Sequence, residues 1–348
     1  MYGDRARYNP CVAEPQERTD DDDPPARRVR LKKGRCCGCL LVLLLVGLGG
    51  VFGAAAHALR YVPYEIDPAD RPAEGPPDGH GITLRWLGVT GYELSDGRTT
   101  LLVDPVLTRP TLAQLWSGPL QPDAEAARRA CPRADFILVN HAHHDHALDM
   151  PVLAEATGAK VVGGRSSLNL ARARGIPEER LIEVHGGEHV SLGSFAVDVR
   201  RTRHPVVLGM SDFLPGTIPA SAGPLWWFQY RQDGCLAFRF ASRGAVVWFH
   251  PTSTWEPGEL SGLTASTLIL GVAGEPLDEA RARAILSEVQ PRRVIPTHWD
   301  NFFQPREQGL SRLTTVDLQA AEDAVRAAGP DVAWWVLDYD QRVTLPPE

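Results

Sequence analysis

The sequence predicts an α/β protein of the α+β kind: a four-layer sandwich of two β-sheets covered by helices on their outer faces, preceded by one transmembrane helix. Three observations lead there. Two β-rich stretches, opening near residues 82 and 195, each close with helical segments, the pattern of two packed sheets with helical covers. Residues 36–59 contain no Asp, Glu, Lys or Arg. The 348 residues are 43% hydrophobic, enough for a sizeable core, and show no internal repeat.

Residues 1–35 join an acidic run, Asp20 to Asp23, to six basic residues between Arg27 and Arg35, with almost no apolar pattern, and read as a disordered tail. The charge-free segment 36–59, centred on Leu40 to Val46, has the length needed to cross a bilayer. Basic residues crowd before it and only Arg60 follows, which places the tail in the cytoplasm and the body outside. The alternative is a secreted chain cleaved near Ala56-His57-Ala58, but a 35-residue leader is long for a signal peptide. Residues 60–80, rich in Pro, Asp and Gly, read as a linker, and 81–348 as the folded domain.

Within that domain, Ile82 to Leu87 and Gly91 to Leu94 are expected strands, and Asp96-Gly97 marks a hairpin turn before a strand from Thr99 to Val103. Residues 122–131 read as helix, Phe136 to Val139 as a buried strand, Pro151 to Ala156 as a helix start and Lys160 to Val162 as a strand. Phe195 to Val199 alternates strictly, and Leu236 to Phe240, Ala245 to Phe249 and Thr267 to Leu270 continue the β pattern. An amphipathic helix from Leu277 to Val289 leads into strand Arg293 to Ile295, and a last helix near 316–328 precedes Val332 to Leu337.

The formal net charge of −7 comes from mixed signs, with no basic field to attract nucleic acid, so a nucleic-acid partner is not expected. The cysteines show no zinc-knuckle or disulfide spacing; Cys131 and Cys235 read as single buried thiols.

The chemistry concentrates in His141-Ala-His143-His144-Asp145-His146, directly after the apolar strand ending at Val139. Imidazole nitrogen and carboxylate oxygen suit zinc, and a loop leaving a strand end can turn several of them toward one point. His141 and His143 alternate in an extended segment and can face one metal; Asp145 and His146 at the following turn can reach a second.

This run resembles the signature of the metallo-β-lactamase superfamily, His-x-His-x-Asp-His at a strand end, and over about residues 81–345 the chain is most similar to the branch with N-acyl phosphatidylethanolamine phospholipase D-like and ascorbate-phosphate lactonase-like proteins. The resemblance implies the αββα fold. It also implies a third histidine for the first metal, matched by His204 in Arg203-His204-Pro205, and a final ligand for the second, matched by His298 in Val294-Ile-Pro-Thr-His298. Asp104, ending Leu101-Leu-Val-Asp104-Pro105, matches a carboxylate beside the metals, though an Asp there also suits a simple turn cap. His185 and His189 read as surface residues, and His144 as a non-ligand.

Two departures stand out. The branch often has Gly-His after its first strand, where this chain has Gly88-Val89. The family usually has Gly-Asp-Thr after a later strand, its Asp bridging two metals; here Trp248-Phe249-His250-Pro251-Thr252-Ser253 puts Thr252 or Ser253 at that place, and a neutral His250 nearby is a poor substitute for a carboxylate. The expected cofactor is zinc, Mn or Fe remaining alternatives, with one secure ion on His141, His143 and His204 and a weaker second on Asp145, His146 and His298.

The expected reaction is attack of a metal-activated water, oriented by Asp145, on an ester, lactone or phosphodiester of a small-molecule or lipid-like substrate. A membrane-tethered, non-catalytic metal-binding protein is the reading from another class. The irregular segment Pro205 to Pro224 is long enough to cover a site, and Trp226, Trp227 and Trp299 are candidates for a substrate pocket or for core.

Overall fold

The computed structural model describes residues 50, 53, 60–73, 80–207, 209–210 and 212–347. The expected tail lies outside these residues, and the expected anchor almost wholly so. Among the described residues no helix is long and apolar enough to cross a membrane.

Two seven-stranded sheets form the centre. The first contains β1 (Ile82–Gly88), β2 (Gly91–Ser95), β3 (Thr100–Val103), β4 (Phe136–Val139), β5 (Lys160–Gly163), β6 (Leu181–Glu183) and the last strand, β14 (Arg342–Leu345), in the order β14-β1-β2-β3-β4-β5-β6. The second contains β7 (His189–Leu192), β8 (Phe195–Thr202), β9 (Cys235–Ser242), β10 (Ala245–His250), β11 (Thr267–Gly271), β12 (Arg293–Thr297) and β13 (Ala333–Trp334), in the order β13-β12-β11-β10-β9-β8-β7. Each sheet is antiparallel over one half and parallel over the other, with β3 beside β4 and β10 beside β11 and β12 in parallel register. The carboxyl ends of the parallel strands β3, β4 and β12 deliver most of the site residues, and that of the antiparallel β8 leads to the remaining one, where side chains leave the ladder and are free to converge.

Alternation fixes which face turns inward. Along β8 the alternating buried residues Phe195, Val197 and Val199 join Leu84, Trp86, Tyr92 and Leu94 of the first sheet with Phe238, Phe240 and Phe249 of the second in one core. The hairpin between β2 and β3 turns at Gly97, at φ +82°, while Asp96 accepts hydrogen bonds from the backbone N–H groups of Arg98 and Thr99.

Helices cover the outer faces. On the first sheet lie α1 (Leu112–Ser117), α2 (Ala124–Ala130), the single turn α3 (His144–Ala147), α4 (Met150–Thr157) and α5 (Arg165–Ala173); α6 (Glu279–Val289) and α7 (Leu318–Ala328) pack together beside β13. Helix α6 starts where the Asp278 carboxylate accepts the Arg281 N–H, and it buries Ala282, Ile285, Leu286 and Val289 along one stripe. The helices at 112–117 and 165–173 were not apparent in the sequence: the first is six residues long, and the second carries Ser166, Ser167 and Asn169 on buried positions.

The expected linker is corrected in part. Residues 60–73 pack on the domain: Val62 N–H donates to Ser311, Tyr64 N–H to the Leu310 carbonyl, Ile66 is buried, and Asp70 pairs with Arg326 at 2.7 Å. Pro63, Pro68 and Pro72, which suggested a spacer, lie within this packed strap. Cys131 and Cys235 are free, buried thiols.

Candidate metal centre

The strand ending at Val139 releases the chain at Asn140, and the next six residues carry the motif into α3. His141, His143 and His204, the last two residues beyond β8, form one group of potential ligands; Asp145, His146 and His298, the last directly beyond β12, form another. Within each group one ligand atom per residue lies within 4.8 Å of the others. The groups adjoin, the rings of His141 and His146 standing 4.0 Å apart.

The hydrogen bonds behind the histidines decide which nitrogens face inward. Asn140 donates its amide N–H to the Leu236 carbonyl, so its oxygen accepts from His141 Nδ1–H and leaves Nε2 with a lone pair. His143 donates from Nε2 to the Phe213 carbonyl at 3.1 Å, leaving Nδ1 bare; His204 donates from Nδ1 to the Pro205 carbonyl at 2.8 Å, leaving Nε2. His141 Nε2 and His143 Nδ1 stand 3.0 Å apart, two acceptors at hydrogen-bond distance with no proton between them. A cation resolves that opposition, so the residues fit a metal.

Burial supports the same state. It pushes His141 well below the ordinary histidine range, His143 down to about 3 and His204 down to about 4, so all three imidazoles are neutral near pH 7, as a metal requires.

The second group is more polar. Asp145 Oδ2 lies 3.2 Å from His298 Nε2 and 3.7 Å from His146 Nε2. Burial alone would raise the Asp145 carboxyl, but His146, His298 and His144 hold it well below the usual carboxylate range. Burial works against a charge on His146, yet Asp104 and Asp145 outweigh it and raise its pKa. Asp104, wholly buried, accepts His146 Nδ1–H at 2.7 Å on one oxygen and the Asn140 backbone N–H at 2.7 Å on the other. It therefore buttresses both the ligand and the start of the motif loop, beyond capping a turn.

Other expected residues are elsewhere. His250, fully buried, contacts the Thr252 carbonyl at 2.9 Å, Glu259 at 3.1 Å and Thr202 at 3.2 Å, and belongs to neither ligand group. Thr252 donates to the Thr254 carbonyl and Ser253 accepts the Glu275 N–H. Among the described residues, no acidic side chain joins both groups. Trp299 is a core residue, 1% exposed, stacked on Trp86 at 5.4 Å and packed on Tyr64, which corrects its reading as a substrate-pocket residue. Trp226 and Trp227 sit half-buried at a short 3₁₀ turn, Trp227 edge-on to Trp116 at 5.5 Å. His144 is partly buried between Tyr230 and Phe302, outside both groups.

Four supporting residues escaped the sequence reading. Asn140 precedes the motif directly, a position from which it was findable. Thr90, whose hydroxyl lies 3.0 Å from His146 Nδ1, follows the Gly88-Val89 departure. Phe213 comes from the long irregular segment, and Asp149 accepts the Leu107 and Thr108 N–H groups at 2.6 and 2.7 Å; neither carries a local signal.

Residues 83–298 match the beta-lactamase superfamily domain. The chain belongs to that superfamily. It is a hydrolase of the metallo-β-lactamase fold with candidate His and Asp metal-binding groups. It is similar to a UPF0173 metal-dependent hydrolase of Pyrobaculum arsenaticum, 26% identical over 241 residues, 66% of this chain and 94% of that protein. A UPF0173 metal-dependent hydrolase of Myxococcus xanthus is 25% identical over 298 residues, 84% of this chain and 95% of its own. A possible metal-dependent hydrolase from Veillonella parvula shares the fold, with a TM-score of 0.50 at 12% identity over 76% of this chain and all of that one.

Proposed function

We propose that this superfamily member is a membrane-anchored, metal-dependent hydrolase that uses water to cleave an ester, lactone or phosphodiester in a small-molecule or lipid-like substrate. The observation that carries the hydrolytic site is the pair of bare imidazole nitrogens, His141 Nε2 and His143 Nδ1, facing each other with every outward nitrogen committed to a fixed acceptor. Membrane anchoring rests on the charge-free segment 36–59 and the basic residues before it, which orient the domain outside the cytoplasm.

His141, His143 and His204 would hold one ion, and Asp145, His146 and His298 a second; zinc suits the donors, with Mn or Fe as alternatives. Bound there, the ion supplies Lewis acidity, lowering the pKa of water and polarising the bond to be cleaved. The chain's own contribution is positional. Asp145 offers a carboxylate oxygen that stays ionised and would orient a water, while Asp104 keeps His146 in one tautomer and the Phe213 carbonyl keeps His143 in another. Phe213 lies against the three-histidine group, its ring stacked on that of His204 at 6.3 Å.

The lack of a shared carboxylate favours one second reading, a tethered metal-binding protein without catalysis. Metal content of the purified full chain in detergent, and hydrolysis of ester, lactone and phosphodiester panels by the chain and His143→Ala, separate the two. Loss of metal and of all hydrolysis in the variant is expected. Bound metal with no turnover on any panel supports the second reading, and activity unchanged in His143→Ala overturns both.

A further inference from the structure

Residues 110–122 and 213–230 contain no Asp, Glu, Lys or Arg, in a chain that is 23% charged. The two stretches meet in space. Leu120 N–H donates to the Leu225 carbonyl at 2.7 Å, and Trp116 of α1 stands edge-on to Trp227 at 5.5 Å. Phe228 extends the contact, edge-on to Trp227 at 5.7 Å and tilted against Trp226 at 6.0 Å. Leu115, Leu120, Ile218 and Leu225 are buried in these stretches, yet Trp116 remains 61% exposed and Phe228 41%. A contiguous exposed aromatic face without a charge is an interaction surface rather than ordinary solvated exterior.

The partner is indicated by where the chain enters the domain. Segment 36–59, the charge-free stretch, leads directly into Arg60 and Tyr61. Asn301 donates its side-chain N–H to the Arg60 carbonyl at 3.1 Å, and the Tyr61 hydroxyl donates to the Gln308 carbonyl at 2.8 Å. Residues Pro305 to Glu307, next to that acceptor, face Gln114 and Ser117 of α1 across a cleft. The entry point and α1 therefore lie on one side of the domain. Tyr61 is itself 40% exposed, so three of the five large exposed hydrophobic side chains among the described residues, Tyr61, Trp116 and Phe228, are aromatic and belong to these linked segments. Aromatic rings with few neighbouring charges suit the boundary between lipid headgroups and acyl chains.

We propose that the face formed by α1 and residues 213–230 seats on the lipid bilayer, with Trp116 and Phe228 entering the headgroup boundary beside the anchor. This rests on the membrane anchoring proposed above. The absence of charge on the face makes the contact apolar, so it requires no anionic lipid and withstands salt.

The test uses the full chain in phosphatidylcholine nanodiscs, with and without lipid brominated near the headgroup end of its acyl chains, which quenches tryptophan on contact. Every tryptophan of the chain lies at position 86 or beyond, so quenching reports the domain and not segment 36–59. Brominated lipid is expected to quench the chain equally at about 0.1 and about 1 M salt. Trp116→Glu combined with Phe228→Glu should abolish the quenching, because each places a carboxylate where acyl chains would be. Ala113→Glu, exposed one turn before Trp116, should do the same with every aromatic in place, so it reports even if the double variant folds poorly. Co-elution with nanodiscs reads the anchor separately. A chain that co-elutes but is not quenched, or is quenched equally in both variants, overturns the seating and leaves the anchor standing; a chain that does not co-elute overturns both. An unquenched chain that forms a dimer in detergent, split by Ala113→Glu, assigns the face to a second copy and likewise overturns the proposal.

Discussion

Asp104→Asn separates the support of a metal ligand from the ligand itself. The carboxylate is wholly buried and accepts two hydrogens at 2.7 Å, from His146 Nδ1 and from the Asn140 backbone. An amide of the same shape has one acceptor and one donor. Whichever way it turns, an N–H faces an N–H, and one of the two original donors is left bare. Asp104 sits at φ +43°, a conformation Asn adopts as readily as Asp, so the backbone is not disturbed. Removing an outer carboxylate behind a ligand histidine typically weakens metal about 10 to 100-fold, or about 1.4 to 2.7 kcal/mol. The loss should fall on the second ion, because only His146 among the six candidate ligands bonds directly to Asp104. Chelator competition with metal counted per chain reads this directly: one ion stays tight and the other weakens. Two ions held with unchanged affinity would refute the positioning role, and loss of both would show that Asn140, rather than His146, is the contact that matters.

Stepwise metal addition to the stripped chain should reveal two classes of site, the second at least about tenfold weaker because no carboxylate joins the groups; two equivalent sites would count against that. Trp299→Ala should cost about 3–5 kcal/mol of stability in urea unfolding, since the ring is buried against Trp86 and Tyr64; a substrate-pocket role predicts instead a changed KM with stability intact. In the metal-free chain, unfolded histidines take up a proton near pH 6.5, whereas burial keeps His143 and His204 neutral to about 3 and about 4. The unfolded state therefore binds more protons, and stability falls as pH drops from 6.5 toward 4, by about 1.4 kcal/mol per pH unit for each such histidine. His146, raised by its acidic neighbours, is protonated in both states below about pH 6.5 and leaves this slope unchanged; it adds stability that is lost only as pH rises above that value. Urea midpoints flat across that window would show that His143 and His204 are solvated in the metal-free chain.

Legibility follows the range of the forces involved. Strand alternation and strand-end histidines are local patterns, so the sheets and the two ligand groups could be read directly, down to His204 and His298. The strap at 60–73 could not, because its order comes from partners near residue 310, about 250 positions away. Trp226 and Trp227, candidates for a pocket or for core, sit half-buried at the start of a 3₁₀ turn that carries no signal in the sequence. His250 reads as a nearby imidazole in sequence, but its partners Glu259 and Thr202 come from different segments and turn it away from the ligands.

The Gly88-Val89 departure acquires a physical meaning in this setting. Val89 has φ +51°, Asp104 φ +43° and His298 φ +62°, three left-handed residues at the ends of β1, β3 and β12. For a β-branched residue such as Val89 this conformation is strained, and strain of this kind persists only where surrounding contacts over-determine it. Here they do: the Val89 N–H donates to buried Asp300, and its carbonyl accepts both the His298 N–H and the Thr297 hydroxyl. The side chain that the family often places after its first strand is absent, and the backbone at the same position has become the support that aims His298. The second metal group thus lacks a shared carboxylate yet keeps a framework that fixes its histidines in place, as a group retained for ligation requires.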